Sequence, residues 1–209
     1  MSGIEGSFDA PGRQSLITRV KAMILSPRSE WQVIDGETPT VGQLYTSYII
    51  PLSAIPPIAS FIGTSVFGIS IPFIGTYRVP MVTAATSAIT QYILGLVSVY
   101  VLALIIDALA PTFAGQKNQI QALKVSTYSS TAAWLAGIFA LIPGLRLLGI
   151  LGIYSLFLLY LGLPVLMKSP KEKAVGYTVV VIICAIILFW IVGAIAGVFI
   201  TRPSLGSLR

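Results

Sequence analysis

Five stretches of this chain carry no charged residue, and each is long enough to cross a bilayer: 38–77, 79–106, 125–145, 147–167 and 174–201. A helical crossing takes about 20 apolar residues. The 21 residues of 125–145 and the 21 of 147–167 each fit one crossing. The 28 residues of 79–106 and of 174–201 each fit one long or tilted crossing and are too few for two. The first stretch, of 40 residues, is interrupted by Pro39, Pro51, Pro56, Pro57 and Pro72 and by Gly63, Gly68 and Gly75. That density of helix breakers predicts one kinked span, about Leu44 to Phe67, and then an apolar connector, GISIPFIGTYRVP, that lies in the interface or re-enters the membrane.

Bulk composition points the same way. The chain is 56% hydrophobic and 10% charged, where a soluble domain carries about a quarter charged residues. The expected fold is all-α, a polytopic membrane bundle of five transmembrane helices with a short amphipathic N-terminal arm. Lysine and arginine set the orientation of such a bundle. Five spans put nine of the 13 basic residues on one side and leave Arg78, Arg146, Arg202 and Arg209 on the other. Six spans divide them eight to five. The sharper division favours five, with the N-terminus cytoplasmic and the C-terminus external. The opening residues, MSGIEGSFDAPGRQ, lack the basic start and apolar run of a signal peptide, so the first span is expected to direct insertion. The chain divides into an arm (1–43), a transmembrane domain (44–201) and a short external tail (202–209).

The same residue counts narrow the chemistry. There is no histidine, and Cys184 is the single cysteine. An intrachain disulfide, a serine–histidine–aspartate triad and a histidine-based zinc site are therefore excluded. No glycine-rich phosphate loop, paired intramembrane carboxylates or metal-ligand cluster is visible, so no enzyme, metal or cofactor is implied. The net charge of +6 reads as orientation and contact with anionic lipid, not nucleic-acid binding.

In the arm, Leu16, Ile17, Val20, Met23 and Ile24 follow helical spacing, with Arg13, Arg19 and Lys21 at other positions. Ser26-Pro27 then reads as a cap followed by proline at the first position of a second helix. Such a basic amphipathic arm either lies on the cytoplasmic leaflet or packs under the bundle as a cap. Lys168, Lys171 and Lys173 surround Pro170 in a second basic turn. With Arg13, Arg19 and Lys21 they are the candidates for lipid headgroups.

A few polar and small residues stand out inside or beside the spans. Asp107 is the only charge between Arg78 and Lys117. It marks the cytoplasmic end of the second span, reaching water or pairing with Lys117, Lys124 or Lys168, or it is a cation-binding carboxylate in a cavity. Ser126, Tyr128, Ser129, Ser130 and Thr131 form a hydroxyl cluster at the start of the third span; it serves close helix packing or lines a polar path. Gly193 and Gly197 form a small-xxx-small pair, and Gly149 and Gly152 a second surface for close helix approach, inside the bundle or in a homo-oligomer.

Two stretches, QALKVSTYSSTAAWLAGIFALIPGL and LGIYSLFLLYLGLPVLMKSPKEKAVGYT, carry a resemblance. Their order of a Tyr-Ser entry, an Ile-Pro exit, an Ile-Tyr-Ser span, a Leu-Gly ending and a lysine-rich turn resembles the bacterial form of the Yip-domain family. ILSPRSEW is similar to the opening of many bacterial members. The resemblance implies a five-span integral protein of the bacterial inner membrane. In the family's eukaryotic branch, members bind prenylated Rab-type GTPases and carry an Asp-Leu-Tyr-Gly-Pro motif before the first span. Here that region reads IDGETPTVGQLYTSY and the motif is absent. The expected function is a non-enzymatic scaffold contacting lipids, partner membrane proteins or further copies of itself. The alternative is a small oligomeric permease or channel built around Asp107 and the hydroxyl cluster.

Overall fold

The computed structural model describes residues 15–71 and 75–200. Arg13, the tail 202–209 and the centre of the connector lie outside the described residues. Helix α1 (Leu16–Leu25) is capped by the Ser15 side chain, which accepts the Thr18 amide at 3.3 Å. Helix α2 (Pro27–Gly36) opens on proline as expected, but Ser26 makes no side-chain cap bond. Helix α3 (Val41–Phe67) starts on a capping box formed by Thr40 and Gln43. It is the kinked span. Two π turns, Tyr45–Ile49 and Gly63–Phe67, and an irregular turn at Ala54 break its α geometry. Pro51, Pro56 and Pro57 lack the amide hydrogen and collide with the carbonyl four residues back, so the regular ladder cannot run through them.

The connector after α3 is a β-hairpin, with β1 (Ile69–Ile71) pairing antiparallel to β2 (Gly75–Tyr77). Gly68 opens it at φ +82°, where an added Cβ would come 2.8 Å from the Tyr77 carbonyl oxygen; only glycine fits there. Helix α4 (Met81–Leu109) follows and tightens into a 3₁₀ turn at Pro111. The chain continues through α5 (Gln119–Ser129), α6 (Thr131–Ala136), a 3₁₀ stretch Gly137–Leu141, a second 3₁₀ stretch Pro143–Ile153, α7 (Tyr154–Leu166) and α8 (Lys171–Ile200).

Among the described residues, four helical stretches are long and apolar enough to cross a membrane: Val41–Phe67, Met81–Phe113, Gly144–Leu166 and Lys171–Gly197. The expected third span, 125–145, is not one continuous helix. It breaks at Ser130 and tightens to 3₁₀ geometry from Gly137. Its hydroxyls are the cause. Ser130 and Thr131 donate back to the carbonyls of Ser126 (2.8 Å) and Tyr128 (2.6 Å), a competition with the helix ladder that bends helices. The bent run still folds back antiparallel against 143–166.

The arm is part of the bundle. Trp31 is fully buried, and a Cβ added at Gly162 of α7 would lie 2.6 Å from its ring. Tyr154 of α7 donates to the Ile24 carbonyl at 3.1 Å. The hairpin of α1 and α2 thus lies along α7 and the turn after it, with Met23, Trp31 and Ile34 buried beneath it. The cap alternative describes this inner face. Ile17, placed on the apolar stripe by spacing alone, is 68% exposed.

Candidate functional site at the junction of arm and bundle

Three acids and three bases meet where the arm joins the bundle. Helix α1 supplies Arg19, α2 supplies Glu30 and Asp35, and the linker to α3 supplies Glu37. Helix α5 supplies Lys124, the last residue before the third uncharged stretch, and the turn after α7 supplies Lys168. Arg19 is buried and donates from Nη1 to Glu30 and from Nη2 to Glu37. Its guanidinium carbon lies 5.7 Å from the centre of the Tyr128 ring. Burial opposes the charge, but the hydrogen bond and charge of Glu37, with Tyr128 and Glu30, outweigh it and raise the Arg19 pKa above its ordinary value.

Lys124 is also fully buried. Its Nζ donates to the Glu37 carbonyl at 2.7 Å. Burial pulls its pKa down to about 8 against the opposing carboxylates of Glu37 and Asp35. Lys168 donates to Asp35 Oδ2 at 2.5 Å, and Gln121 reaches the carbonyl and Oδ1 of the same residue at 3.3 Å each. A partly buried set of this kind adds little net stability, because desolvation offsets attraction around Arg19 and Lys124 and the Lys168–Asp35 pair is partly exposed. It does fix one arrangement of arm, α5 and α7, since any slip strands a charge.

A cleft of about 760 Å³ opens beside this cluster between α1 and α3, lined among others by Arg19, Glu37, Gln43, Ser47, Tyr48 and Tyr128. Its aromatic wall is closed. Tyr48 packs edge-on against Tyr128 at 4.7 Å, Trp31 meets Tyr128 at 6.3 Å, and the Tyr48 hydroxyl bonds Thr131 Oγ1 at 2.8 Å.

These contacts reassign several expected site residues. Arg19 is not a headgroup ligand, because two carboxylates occupy it. Lys168 is paired with Asp35, while Lys21, Lys171 and Lys173 are exposed. Ser126 donates across to the Val99 carbonyl of α4 at 2.8 Å, the interhelical packing role. Ser129, at 3.4 Å from the Ser126 carbonyl, and Ser130 spend their hydroxyls locally, while Thr131 donates to the Tyr128 carbonyl and also bonds the Tyr48 hydroxyl of α3. Asp107 sits at the last turn of α4, half-buried, with Oδ1 buried and unpartnered among the described residues. None of its three suggested lysine partners pairs with it there. Gly152 does allow close approach, its added Cβ coming 3.3 Å from Ala133 Cα. At Gly149, Gly193 and Gly197 an added Cβ meets nothing within 4 Å, so their packing role inside the bundle is withdrawn.

The ion cluster itself was missed from sequence. Its available signal was acid placement: Glu30, Asp35 and Glu37 are three of only seven acidic residues, and they fall within the arm directly after its basic first helix. The seat of Trp31 on Gly162 had no sequence signal, since nothing local links the two positions.

Apolar helices of spanning length, a helical arm locked to their bundle and an internal ion cluster define a polytopic integral membrane protein. The chain belongs to the Yip1 domain family, whose model matches residues 21–193. That match includes the second half of α1, all of α2, the first three spanning helices and the fourth as far as Gly193. The chain is 28% identical over 166 residues to inner membrane protein YohC of Escherichia coli strain K12, covering 78% of this chain and 85% of the relative. YohC of Escherichia coli O6:H1 (strain CFT073) matches to the same extent. No solved structure matches it.

Proposed function

We propose that the chain is a non-enzymatic scaffold of the bacterial inner membrane, with five spans, a cytoplasmic N-terminus and an external C-terminus. Its docked arm is the surface that contacts lipid and partner membrane proteins. The observation that carries this reading is the two-faced arm. Its inner face is locked to α5, α7 and the turn after α7 by Trp31 and by the bonds that Lys124, Tyr154 and Lys168 make to it. Its outer face presents Leu25, 77% exposed, and Ile17, together with the exposed cations Lys21 and Arg28. Apolar tips among cations suit the headgroup boundary of an anionic leaflet. The naming of YohC as an inner membrane protein supports the location.

The permease reading requires a polar path beyond the middle of the membrane. The cleft meets Tyr48 and Tyr128 packed against each other, and no observation favours that reading over the scaffold.

The test is depth. A spin label at Leu25→Cys in a Cys184→Ala background, in phosphatidylethanolamine–phosphatidylglycerol vesicles, should be shielded from aqueous relaxation agents and lie about 5–10 Å below the headgroups. A label at Lys117→Cys should be open to water. Equal aqueous access at both positions would reject the lipid-contact role. For topology, Asn118→Cys and Ser169→Cys should react only from the cytoplasmic side and Leu208→Cys only from outside.

A further inference from the structure

We propose that the cleft between α1 and α3 binds a primary ammonium group, held by the free oxygen of Glu37 and the hydroxyl of Tyr128. This site lies inside the junction, apart from the lipid contact of the arm's outer face, and does not rest on it. Tyr128 is 5% exposed and lines the cleft. Its hydroxyl bonds no described residue, yet it is not one of the unpartnered polar atoms sealed from solvent. The small exposed part of Tyr128 therefore includes the hydroxyl, and it opens into the cleft. Polar groups held this deep are normally bonded, so the hydroxyl awaits a partner from outside the subunit. Glu37 gives Arg19 one oxygen, Oε1, and Oε2 has no partner among the described residues. Arg19 holds the two groups together, bonded to Glu37 on one side and 5.7 Å from the Tyr128 ring centre on the other.

Charge selects the ligand. Arg19 and Glu37 are the charged residues lining the cleft among those described. Arg19 is one cation between two carboxylates, so it has little attraction left for an anion. Lys124 holds the Glu37 carbonyl but does not line the cleft. An entering anion meets the Glu37 carboxylate; a cation meets its unused oxygen. The hydroxyls favour the same sign. Thr46 donates to the Gly42 carbonyl at 2.8 Å and Ser47 to the Gln43 carbonyl at 2.5 Å. Thr131 spends its hydrogen on the Tyr128 carbonyl at 2.6 Å, so Tyr48 donates its own to Thr131. With those hydrogens spent, Thr46, Ser47 and Tyr48 offer a ligand only acceptor lone pairs. An ammonium group is all donor and carries the matching charge. Gln43 spends its oxygen on the Thr40 amide at 2.9 Å and keeps its own N–H groups, which suit the oxygen of an ethanolamine. The ammonium comes either from a phosphatidylethanolamine headgroup or from a small soluble amine.

The experiment is a melting-temperature titration of full-length protein in dodecyl maltoside with dihexanoyl-phosphatidylethanolamine, dihexanoyl-phosphatidylcholine or ethanolamine. A ligand of the folded state raises the melting temperature with its concentration. Phosphatidylethanolamine, ethanolamine or both should do so saturably. Phosphatidylcholine, whose nitrogen has no N–H, should bind at least roughly tenfold more weakly. A response to the lipid where ethanolamine gives none assigns the headgroup; a response to ethanolamine alone, or equally to both, assigns a soluble amine. Tyr128→Phe removes a hydroxyl that bonds nothing in the subunit. It should melt like the parent and bind roughly fivefold more weakly, the scale of one hydrogen bond. Ser47→Phe, at an exposed lining position, should block the cleft and abolish the response. Glu37→Gln should abolish it too, and if that variant unfolds for want of the Arg19 pair, the other two still decide. No saturable shift with either ammonium, an equal shift with phosphatidylcholine, or a shift that survives both Tyr128→Phe and Ser47→Phe would overturn the proposal.

Discussion

The arm junction and the groove beside α8 place their polar groups in opposite settings. At the junction, carboxylates, cations and hydroxyls interlock among α1, α2, α5 and the turn after α7. Arg19 has two carboxylates and an aromatic ring, and Lys124 has a carbonyl at 2.7 Å. In the groove, between α4 and α8, an exposed amide, Gln91, sits among glycine, serine and apolar residues without a hydrogen-bond partner among the described residues. The contrast separates paired buried charges from a lone exposed amide. A set whose charges are paired specifies one internal arrangement, even with Trp31 Nε1 and Gln121 Oε1 buried there without a partner among the described residues.

The largest expected effects lie at the junction. Trp31→Ala removes a fully buried indole and leaves a cavity against Gly162, a loss of about 3–5 kcal/mol by the usual cost of such deletions. Gly162→Leu attacks the same contact from the other side and should force the arm off α7. Limited proteolysis would then cut the linker near Thr38 in the variants and not in the parent. A protected linker in Gly162→Leu would mean that the arm is held without Trp31.

Arg19→Ala asks whether the ion cluster matters as a set. Removing the cation leaves Glu30 buried and unpaired, an effect of about 3–5 kcal/mol. Replacing Arg19, Glu30 and Glu37 together by Met, Leu and Gln should recover most of it, because the desolvation cost leaves with the charges. Thermal unfolding of the single and triple variants in one detergent decides the point. If the triple variant is as unstable as Arg19→Ala, the cluster contributes attraction and not only register.

Lys124 gives a smaller effect with a defined sign. Its pKa is pulled from 10.5 down to about 8 in the folded protein. Between those values the unfolded chain holds the proton more firmly, so unfolding takes up a proton and stability increases with pH. The gain is complete above 10.5 and is lost as pH falls through about 8. A melting temperature that rises from pH 8 towards pH 10.5, and a flatter profile for Lys124→Met, are the expected results. Matching profiles for the two proteins would place the titration elsewhere.

How much of this was legible follows from the range over which each feature is encoded. Spans announce themselves through uncharged length, so α4 and α8 fall close to their predicted limits. The kinks of α3 follow from its prolines. The bend at Ser130 needed more than composition, because the same hydroxyls that suggested packing also compete for the helix's own carbonyls. Arg19 was misread as a headgroup ligand because its partners, Glu30 and Glu37, stand 11 and 18 positions away. A helical wheel of α1 alone cannot see them. Gly193 was marked by its spacing, but only the fold places it beside Gln91, on a helix distant in sequence.

The smallest expected effect belongs to Asp107, and it tests whether that residue resembles the junction or the groove. It shares features with both. Like Gln91, it has a polar atom, Oδ1, without a partner among the described residues. Like the junction, it lies near a helix end where charge can reach water, and it is only half-buried. Its neighbour Tyr177 spends its hydroxyl on the Ile106 carbonyl at 2.5 Å and stacks on Phe113 at 4.8 Å, so the packing there does not depend on the carboxylate. A carboxylate at a span boundary keeps solvent on one oxygen, and its replacement by the isosteric amide changes little. Asp107→Asn should therefore alter stability by no more than about 1 kcal/mol, the scale of an exposed ionic interaction. Thermal unfolding of Asp107→Asn and Asp107→Ala in the same detergent measures it. A loss of about 3 kcal/mol or more would mean that the charge is paired inside the protein. An ion flux abolished by Asp107→Asn in folded protein would instead revive the permease.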